Sequence, residues 1–258
     1  MAYQIGSFNM YKFSFQSDDK IRKDMEHICE MIRDNFDIVA IQEIFNPGAL
    51  TDRLLKYLGT NEWEGYWAQP RSKSVSAAEG YAFIWRKSKF MLLRKKNKIT
   101  GEIEKVEPVI LDNYHLDSGK QRLLRDPLYG RFVPRNGPFF ELRLFNTHIR
   151  FSADEKHENE EDSDQNNSVG AIIARKNEFE TLIRNVCDKY GINRDGSNRP
   201  AYAILLGDYN LNLKHGDNPY PYLEEIVPVF DGKTERRYKT VQNEKTTLRT
   251  VEKAEESG

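Results

Sequence analysis

The distribution of apolar and polar residues along the chain predicts alternating strands and helices. Residues 3–9 alternate in polarity, which is typical of a strand with one solvated face. Residues 37–42 form a short β-branched run, which favours a strand buried on both faces. Apolar runs at residues 81–85, 139–148 and 202–206 predict further strands. The chain therefore carries enough strands for a substantial sheet structure.

Segments with helical periodicity lie between these strands and predict helices. The first predicted helix, which Asp18 could cap, has apolar residues at helical spacing: Ile21, Met25, Ile28, Cys29, Ile32 and Phe36. Pro47 is expected to open a second helix that runs to about Leu58. A third helix is predicted from Ile172 to Tyr190, where Gly191 can terminate it.

The order of the elements predicts α/β layers around stacked sheets, in a single domain that spans residues 1–258. Residues 94–117 begin with a lysine-rich polar stretch and are interpreted as an inserted loop or hairpin. The acidic residues 154–164 are typical of a solvated loop. Residues 246–258 are charged and show no core strand.

Composition limits the classes of function. A hydrophobic content of 38% supports a globular core, and a net charge of −1 argues against a basic nucleic-acid coat protein. Contact with a polyanion would therefore need a local cluster of positive charge or a metal. Cys29 and Cys187 lie in apolar stripes, so we expect buried thiols rather than a disulfide. No membrane span or signal peptide is visible; a cytoplasmic monomer is the default expectation, and secretion is the alternative if a leader was removed.

Five polar residues share one position, at or just after the end of an apolar strand: Asn9, Glu43, His148, Asp208 and Asn210. Each residue also has an ordinary interpretation, as a turn residue, a helix-proximal acid or a core histidine. Five independent ordinary roles are less economical than one shared site, because strand ends in α/β folds converge on one edge where ligands bind. Carboxylate and amide oxygens suit Mg²⁺, with Mn²⁺ as the alternative. The set therefore predicts phosphate-ester hydrolysis, with a carboxylate to orient water and an imidazole to stabilise charge.

Several segments resemble, in order, the signatures of the endonuclease/exonuclease/phosphatase superfamily, which includes pancreatic deoxyribonuclease I. These segments are Ser7-Phe8-Asn9-Met10, Ile41-Gln42-Glu43-Ile44, Asn146-Thr147-His148 and Leu206-Gly207-Asp208-Tyr209-Asn210. The strand from Glu79 to Arg86 and the segment Arg125-Asp126-Pro127 also resemble parts of deoxyribonuclease I.

The resemblance implies a four-layer α/β/β/α sandwich and a role for each matched residue. It implies that Glu43 is the principal metal ligand, with Asn9 close to the same ion. His148, held by Glu79, would act on the phosphate or leaving group. Asp208 and Asn210 would position the attacking water and the phosphate, and Arg125 would clamp a phosphate oxygen.

The sequence departs from that superfamily in two respects. The superfamily ends with a further Asp strand and an Asp-His pair, and we expect this chain to lack the last strand or strands. It is then either a piece of a longer protein, which we favour, or a lineage that lost them, with His215 as a lesser candidate for a replacement base. The residues that insert into the DNA minor groove in deoxyribonuclease I correspond here to Phe45 and Ala77, which weakens an expectation of groove reading.

Three functions therefore stay open. The leading hypothesis is a deoxyribonuclease I-like endonuclease acting on nucleic acid. The neutral net charge keeps a phosphatase or phosphodiesterase on small or lipid phosphoesters as an alternative. A catalytically silent binding module of the same fold is the third hypothesis. The lysines of the insertion, Lys95, Lys96 and Lys98, could supply positive charge, but a solvated surface cluster is the favoured interpretation.

Overall fold

A computed structural model describes residues 2–14, 23–70, 79–112, 123–149, 171–190, 200–210, 227–230 and 235–238. The chain divides into two compact units. The large unit comprises Met1–Arg150 and Thr181–Tyr209, and the second unit comprises Phe151–Glu180 and Asn210–Gly258. The expectation of one domain over residues 1–258 stays a prediction.

The elements of the large unit are mostly strands. They are β1 (Ile5–Phe13), β2 (Ile38–Ile44), β3 (Trp63–Ala68), β4 (Gly80–Arg86), β5 (Phe90–Leu92), β6 (Arg94–Lys96), β7 (Ile103–Lys105), β8 (Val109–Ile110), β9 (Leu128–Pro134), β10 (Glu141–His148) and β11 (Ala201–Asp208). The helices are α1 (Met25–Asn35) and α2 (Leu55–Leu58), which continues the π-helical turns Ala49–Leu54. Further along, α3 (Ala171–Thr181) continues through π-helical turns Leu182–Cys187 into α4 (Asp188–Tyr190). In the second unit, β12 (Val227–Phe230) and β13 (Glu235–Tyr238) pair antiparallel.

Two sheets form the framework of the large unit. The first has the strand order β1-β2-β4-β3, with β1 and β2 parallel and the other pairs antiparallel. The second has the order β11-β10-β9-β5, with β10 and β11 parallel and β8 also pairing with β9. The mixed α/β class predicted from the sequence is confirmed by this arrangement.

The facing sides of the two sheets share one apolar core. Alternate residues of the first sheet contribute to it because successive side chains of a strand point to opposite faces. This core contains Ile38, Ala40, Tyr81, Phe83 and Trp85 from the first sheet, with Phe90, Leu92, Leu128, Phe132, Leu142 and Leu144 from the second. Edge-to-face contacts of Phe132 with Phe83 and with Trp85 join the sheets.

The helices α1 and α2 cover the other face of the first sheet. Met25, Cys29 and Ile32 of α1 are buried there, together with Leu50 and Leu54 of the π-helical turns. The side chain of Asp24 accepts a hydrogen bond from His27 N and caps α1. The helix therefore begins later than the apolar stripe suggested, and the predicted cap, Asp18, lies outside the described residues.

Tyr190 of α4 packs on the outer face of the second sheet. The Tyr129 ring contacts Phe145 and Tyr190, with centroid separations of 4.9 and 5.5 Å. On the same face, the fully buried Glu141 accepts hydrogen bonds from Arg131 Nε at 2.6 Å and Arg143 Nε at 2.8 Å. Burial by itself raises the pKa of Glu141, but the two arginines outweigh it, so the pKa lies below its ordinary value.

Most predicted elements are confirmed, with small changes of boundary. Strands occur at all five predicted positions, and helices cover residues 25–35, 49–58 and 171–190. The insertion contains the exposed hairpin β6–β7, so its hairpin interpretation is correct for the described part. Cys29 and Cys187 are buried free thiols, as predicted. Among the helices that the structure describes, none has the length and apolar character needed to cross a membrane.

Candidate active site

Strands from both sheets end at one edge of the large unit. Glu43 is the penultimate residue of β2, and Glu79 directly precedes β4, whose first residue pairs with Ile44. His148 and Asp208 are the last residues of β10 and β11 and are register partners in the parallel pairing. The strand-end residues of the first sheet and of the second sheet are therefore candidates for one shared site.

The β1 strand bulges where it passes Glu43. Its register with β2 shifts between Asn9 and Phe13, and Tyr11 and Lys12 have φ values of 42° and 52°. Glu43 itself has a φ of 60°. Side-chain-bearing residues rarely adopt this left-handed conformation, and such strain clusters at functional sites. The bulge lets Lys12 N donate to Glu43 Oε2 at 2.9 Å, so backbone geometry fixes the carboxylate.

Asn9 joins the two acidic residues of the site. Its Nδ2 donates to Glu43 Oε1 at 2.9 Å and to Asp208 Oδ2 at 3.0 Å. Its Oδ1 accepts a hydrogen bond from Tyr11 N at 2.8 Å. Asn9 therefore lies beside Glu43 as expected, but it presents its amide nitrogen to the carboxylates because the bulged backbone takes its oxygen. Two carboxylates from different sheets thus converge on one atom.

A second group of residues surrounds His148. Its Nδ1 lies 2.8 Å from Glu79 Oε1, and the same carboxylate oxygen lies 2.6 Å from Arg125 Nη1. Arg125 also donates to the backbone carbonyl of His148 at 3.4 Å. His148 N in turn donates to the hydroxyl of the buried Tyr81. A carboxylate bound to Nδ1 fixes the tautomer and orientation of an imidazole, so proton exchange by His148 is expected at Nε2.

Buried amides that the sequence reasoning did not single out lie behind these groups. Gln42 Nε2 donates to Asn146 Oδ1 at 2.7 Å, and Asn146 Nδ2 donates to the carbonyls of Ile41 and Ala82. Both side chains are almost fully buried, and Ser7 exchanges hydrogen bonds with Gln42. The sequence did contain a signal for both residues, because each is a polar residue at a strand position where the alternating pattern predicts a core residue. Gln42 directly precedes Glu43, and Asn146 lies two residues before His148.

The donor atoms at this edge fit a hard divalent cation. One ligand atom each from Glu43, Glu79 and His148 lie within 4.8 Å of one another. Asp208 adds a further carboxylate, tied to Glu43 through Asn9. Carboxylate oxygens are the ligands that hard divalent cations prefer, and His148 adds an imidazole nitrogen to the group.

Positive groups border the acidic residues. Tyr11 is 55% exposed, and the ammonium groups of Lys12 and Lys23 lie 5.6 and 5.8 Å from the centroid of its ring. Burial lowers the pKa of Lys23, while the Glu43 carboxylate opposes that shift and Arg53 adds to it. Lys23 is thus close enough to Glu43 to interact with it electrostatically.

The residue after Asp208 anchors the end of β11. Tyr209 OH donates to Leu205 O at 2.8 Å. Burial, and then the nearby Cys187 and Asp208, raise the pKa of Tyr209 well above its ordinary value. A neutral, half-buried phenol therefore holds the chain directly beside the Asp208 carboxylate.

Other predicted residues fall in different places. Asn210 follows the end of β11 with a φ of 49° and belongs to the second unit. Phe45 is half-buried. Ala77, His215 and the acidic residues 154–164 lie outside the described residues. The lysines of the β6–β7 insertion are exposed, as the solvated-surface interpretation predicted.

Comparison with known proteins gives likenesses of structure only. No family model matches the chain, and no curated protein matches its sequence. Among solved structures, ANGEL2, a 2′,3′-cyclic phosphatase, has 15% identity and a TM-score of 0.48, with coverage of 94% of this chain and 70% of that one. TDP2 from C. elegans has 17% identity and a TM-score of 0.41, with coverage of 81% and 45%.

A protein from Leptotrichia buccalis C-1013-b has 14% identity and a TM-score of 0.43, with coverage of 92% of this chain and 86% of that one. That protein is described as a member of the endonuclease/exonuclease/phosphatase family, the group that the ordered sequence segments resemble. These likenesses are too distant to assign an activity, so the function has to be inferred from the geometry of the site.

Proposed function

We propose that this chain carries the active site of a Mg²⁺-dependent phosphodiester hydrolase that acts as an endonuclease on nucleic acid. The supporting observation is the convergence of Glu43 and Asp208, from different sheets, on Asn9 Nδ2 at 2.9 and 3.0 Å. Carboxylates repel one another, so a site that collects them is suited to a cation.

Glu43, assisted by neighbouring acidic oxygens, would hold the metal. Bound there, a divalent ion would neutralise negative charge on a phosphoryl or leaving oxygen. The backbone N–H of Lys12 holds one Glu43 oxygen and Asn9 holds the other, so the carboxylate needs little reorganisation before it binds. Mn²⁺ has the same ligand preferences and is the expected substitute.

His148 is proposed to act on the phosphate or leaving group. Glu79 and the carbonyl contact of Arg125 keep the imidazole in place from one side. An imidazole in this position can stabilise the charge that develops during phosphoryl transfer or give its proton to the leaving oxygen. Arg125 uses one NH group toward Glu79, and a guanidinium has further N–H donors that can clamp a phosphate oxygen.

Asp208 is proposed to orient the attacking water. It is the register partner of His148, so the two side chains leave adjacent strands at the same level of the sheet. Asn9 fixes one of its carboxylate oxygens, and a carboxylate held in this way can orient water and accept a proton from it. The role that the resemblance implies for Asn210, which is to help position water and phosphate, stays a prediction.

The test compares Glu43→Ala with Glu30→Ala in Mg²⁺-dependent cleavage of plasmid DNA. Glu30 is an exposed acidic residue on α1, which makes it a matched control. We expect Glu43→Ala to abolish cleavage, Glu30→Ala to leave it unchanged and EDTA to stop cleavage by Glu30→Ala and by the unmodified protein. Unchanged turnover in Glu43→Ala would reject the proposal.

Substrate class is tested by offering plasmid DNA, an inositol phosphate and sphingomyelin to the same preparation. We expect hydrolysis of the nucleic acid alone. Preferential hydrolysis of either of the other two would replace the endonuclease with a small-molecule or lipid phosphoesterase. Metal binding without turnover of any substrate would favour the silent module.

A further inference from the structure

The exposed aromatic ring of Tyr11 lies near the carboxylate of Glu43. The side chain of Tyr11 is 55% exposed, although it lies on β1 between the buried residues Met10 and Phe13. Its backbone is fixed on both sides, because Tyr11 N donates to Asn9 Oδ1 and the next residue, Lys12, donates to Glu43 Oε2. The backbone that bears the ring is therefore fixed by hydrogen bonds, and the next residue, Lys12, contacts Glu43.

Two ammonium groups accompany this ring. Lys12 Nζ and Lys23 Nζ lie 5.6 and 5.8 Å from its centroid, within the range in which a cation is attracted to an aromatic ring. They come from different parts of the chain, β1 and the residues just before α1. Ring and cations together offer an apolar face and positive charge to the same ligand.

We propose that Tyr11, Lys12 and Lys23 form a nucleotide subsite, in which the Tyr11 ring stacks on an unpaired base and the lysines contact the flanking phosphates. This inference rests on the proposed hydrolase function and gives it a substrate preference, for single-stranded over duplex nucleic acid. Stacking on an aromatic side chain requires an exposed base face, and a base inside a duplex is covered by its neighbours.

The proposed subsite should distinguish nucleic acid from the other candidate substrates, an inositol phosphate and sphingomyelin. An inositol phosphate has no aromatic face to lie against Tyr11. The head group of sphingomyelin likewise has no flat aromatic face, and its choline ammonium would compete with Lys12 and Lys23 for the Tyr11 ring. A single strand supplies both a flat base and regularly spaced negative charge, the combination that ring and lysines match.

The test measures binding in EDTA, where no cleavage occurs, to three fluorescent ligands. These are a short single-stranded oligonucleotide, an abasic strand with the same number of phosphates, and the corresponding duplex. We expect the base-bearing strand to bind about tenfold more tightly than the abasic strand, the effect of about one stacked base. Tyr11→Leu should remove this preference and Tyr11→Phe should keep it. Tyr57→Leu, which changes an exposed tyrosine on α2, is the matched control and should leave it unchanged.

The lysines are tested by salt dependence. Affinity falls as salt rises, so the slope of log affinity against log salt is negative. In Lys12→Gln and in Lys23→Gln this slope should become less steep by about 0.7 for each phosphate that the substituted lysine no longer neutralises. Unchanged slopes in both variants would show that the lysines do not contact phosphates and are not part of the subsite. Equal binding of base-bearing and abasic strands by the unmodified protein would overturn the proposal.

Failure of the subsite and failure of the hydrolase give different results. A base preference that depends on Tyr11, without cleavage of any phosphodiester in Mg²⁺, supports the subsite and rejects the hydrolase. Cleavage that depends on Glu43 but is equally fast for single strand and duplex, in both unmodified protein and Tyr11→Leu, supports the hydrolase and rejects the subsite.

Discussion

Asn146 on β10 accepts a hydrogen bond from Gln42 on β2 at 2.7 Å, across the interface between the two sheets. Gln42 directly precedes Glu43, and Asn146 lies two residues before His148. This one buried contact therefore ties together the strands that carry the two halves of the candidate site. It is surrounded by core residues, where a polar group without a partner is costly.

Asn146→Leu should destabilise the protein, because Gln42 and the carbonyls of Ile41 and Ala82 would all lose a buried partner. We expect the free energy of unfolding to fall by about 2–4 kcal/mol. Urea denaturation measures the change. Asn35→Leu is the control, because that exposed amide also donates to a backbone carbonyl, and its loss should cost well under half as much. Equal losses in the two variants would contradict a special role for the inter-sheet contact.

Glu79→Gln should lower Mg²⁺-dependent cleavage while leaving the fold intact. The substitution keeps the size of the side chain but removes the negative charge between His148 and Arg125. Loss of a group that orients a functional histidine typically lowers activity by about 10- to 100-fold. The half-buried Glu64, which pairs with Lys105, gives the control Glu64→Gln, and no change is expected there. Full activity in Glu79→Gln would show that His148 needs no such partner.

Gly207→Ala should damage both stability and cleavage. A Cβ at this position would overlap the carbonyl oxygen of Thr147 and lie 2.9 Å from its Cγ2, so β11 would be pushed away from β10. Overpacking costs about 1–3 kcal/mol, and a displacement of about 1 Å at Asp208 can cost about 100-fold in rate. Thermal unfolding and plasmid cleavage measure the two effects. Ala203→Ser, at an exposed position of the same strand, should change neither.

The Glu141 cluster should make stability depend on pH in a defined direction. The pKa of Glu141 is lower in the folded protein than its ordinary value of 4.5, so its ionised form stabilises the fold above that pH. The contribution is lost as pH falls through the lowered, folded pKa. We expect Glu141→Gln to cost about 2–4 kcal/mol at neutral pH. In urea denaturation across pH, its difference from the unmodified protein should shrink below pH 4.5.

The exposed Glu62 provides the comparison for this titration. Glu62→Gln should track the unmodified protein at every pH. A Glu141→Gln difference that is constant down to strongly acidic pH would mean that the carboxylate charge does not contribute through Arg131 and Arg143.

Sequence reasoning grouped the candidate residues because the strand ends were recognisable. Glu43, His148 and Asp208 each close an apolar run, and His148 and Asp208 end adjacent parallel strands of one sheet, so their proximity follows from the pattern. That Glu43, on the other sheet, lies near them depends on how the two sheets pack. The helix cap was harder to place. Asp18 and Asp24 are equally suitable as capping residues, and only the packing of Met25 against the first sheet selects the second.

Other features needed the tertiary structure. The bulge at Tyr11 and Lys12 is invisible to an alternation pattern, because the extra residues are still polar and exposed. The pairing of Gln42 with Asn146 depends on how one sheet lies on the other, which no local pattern specifies. The orientation of the Asn9 amide likewise follows from the bulge, because Tyr11 N donates a hydrogen bond to Asn9 Oδ1.

The left-handed backbone of the β1 bulge has a consequence for how stability and ligand binding can change when residues there are substituted. A side chain in that conformation costs about 1–2 kcal/mol relative to glycine's freedom there, and Tyr11 and Lys12 both adopt it. Glycine replacements at these two positions should be favoured under selection for heat resistance alone. The same replacements would remove the side chains of the proposed subsite, so selection for heat resistance and selection for ligand binding should act on this segment in opposite directions.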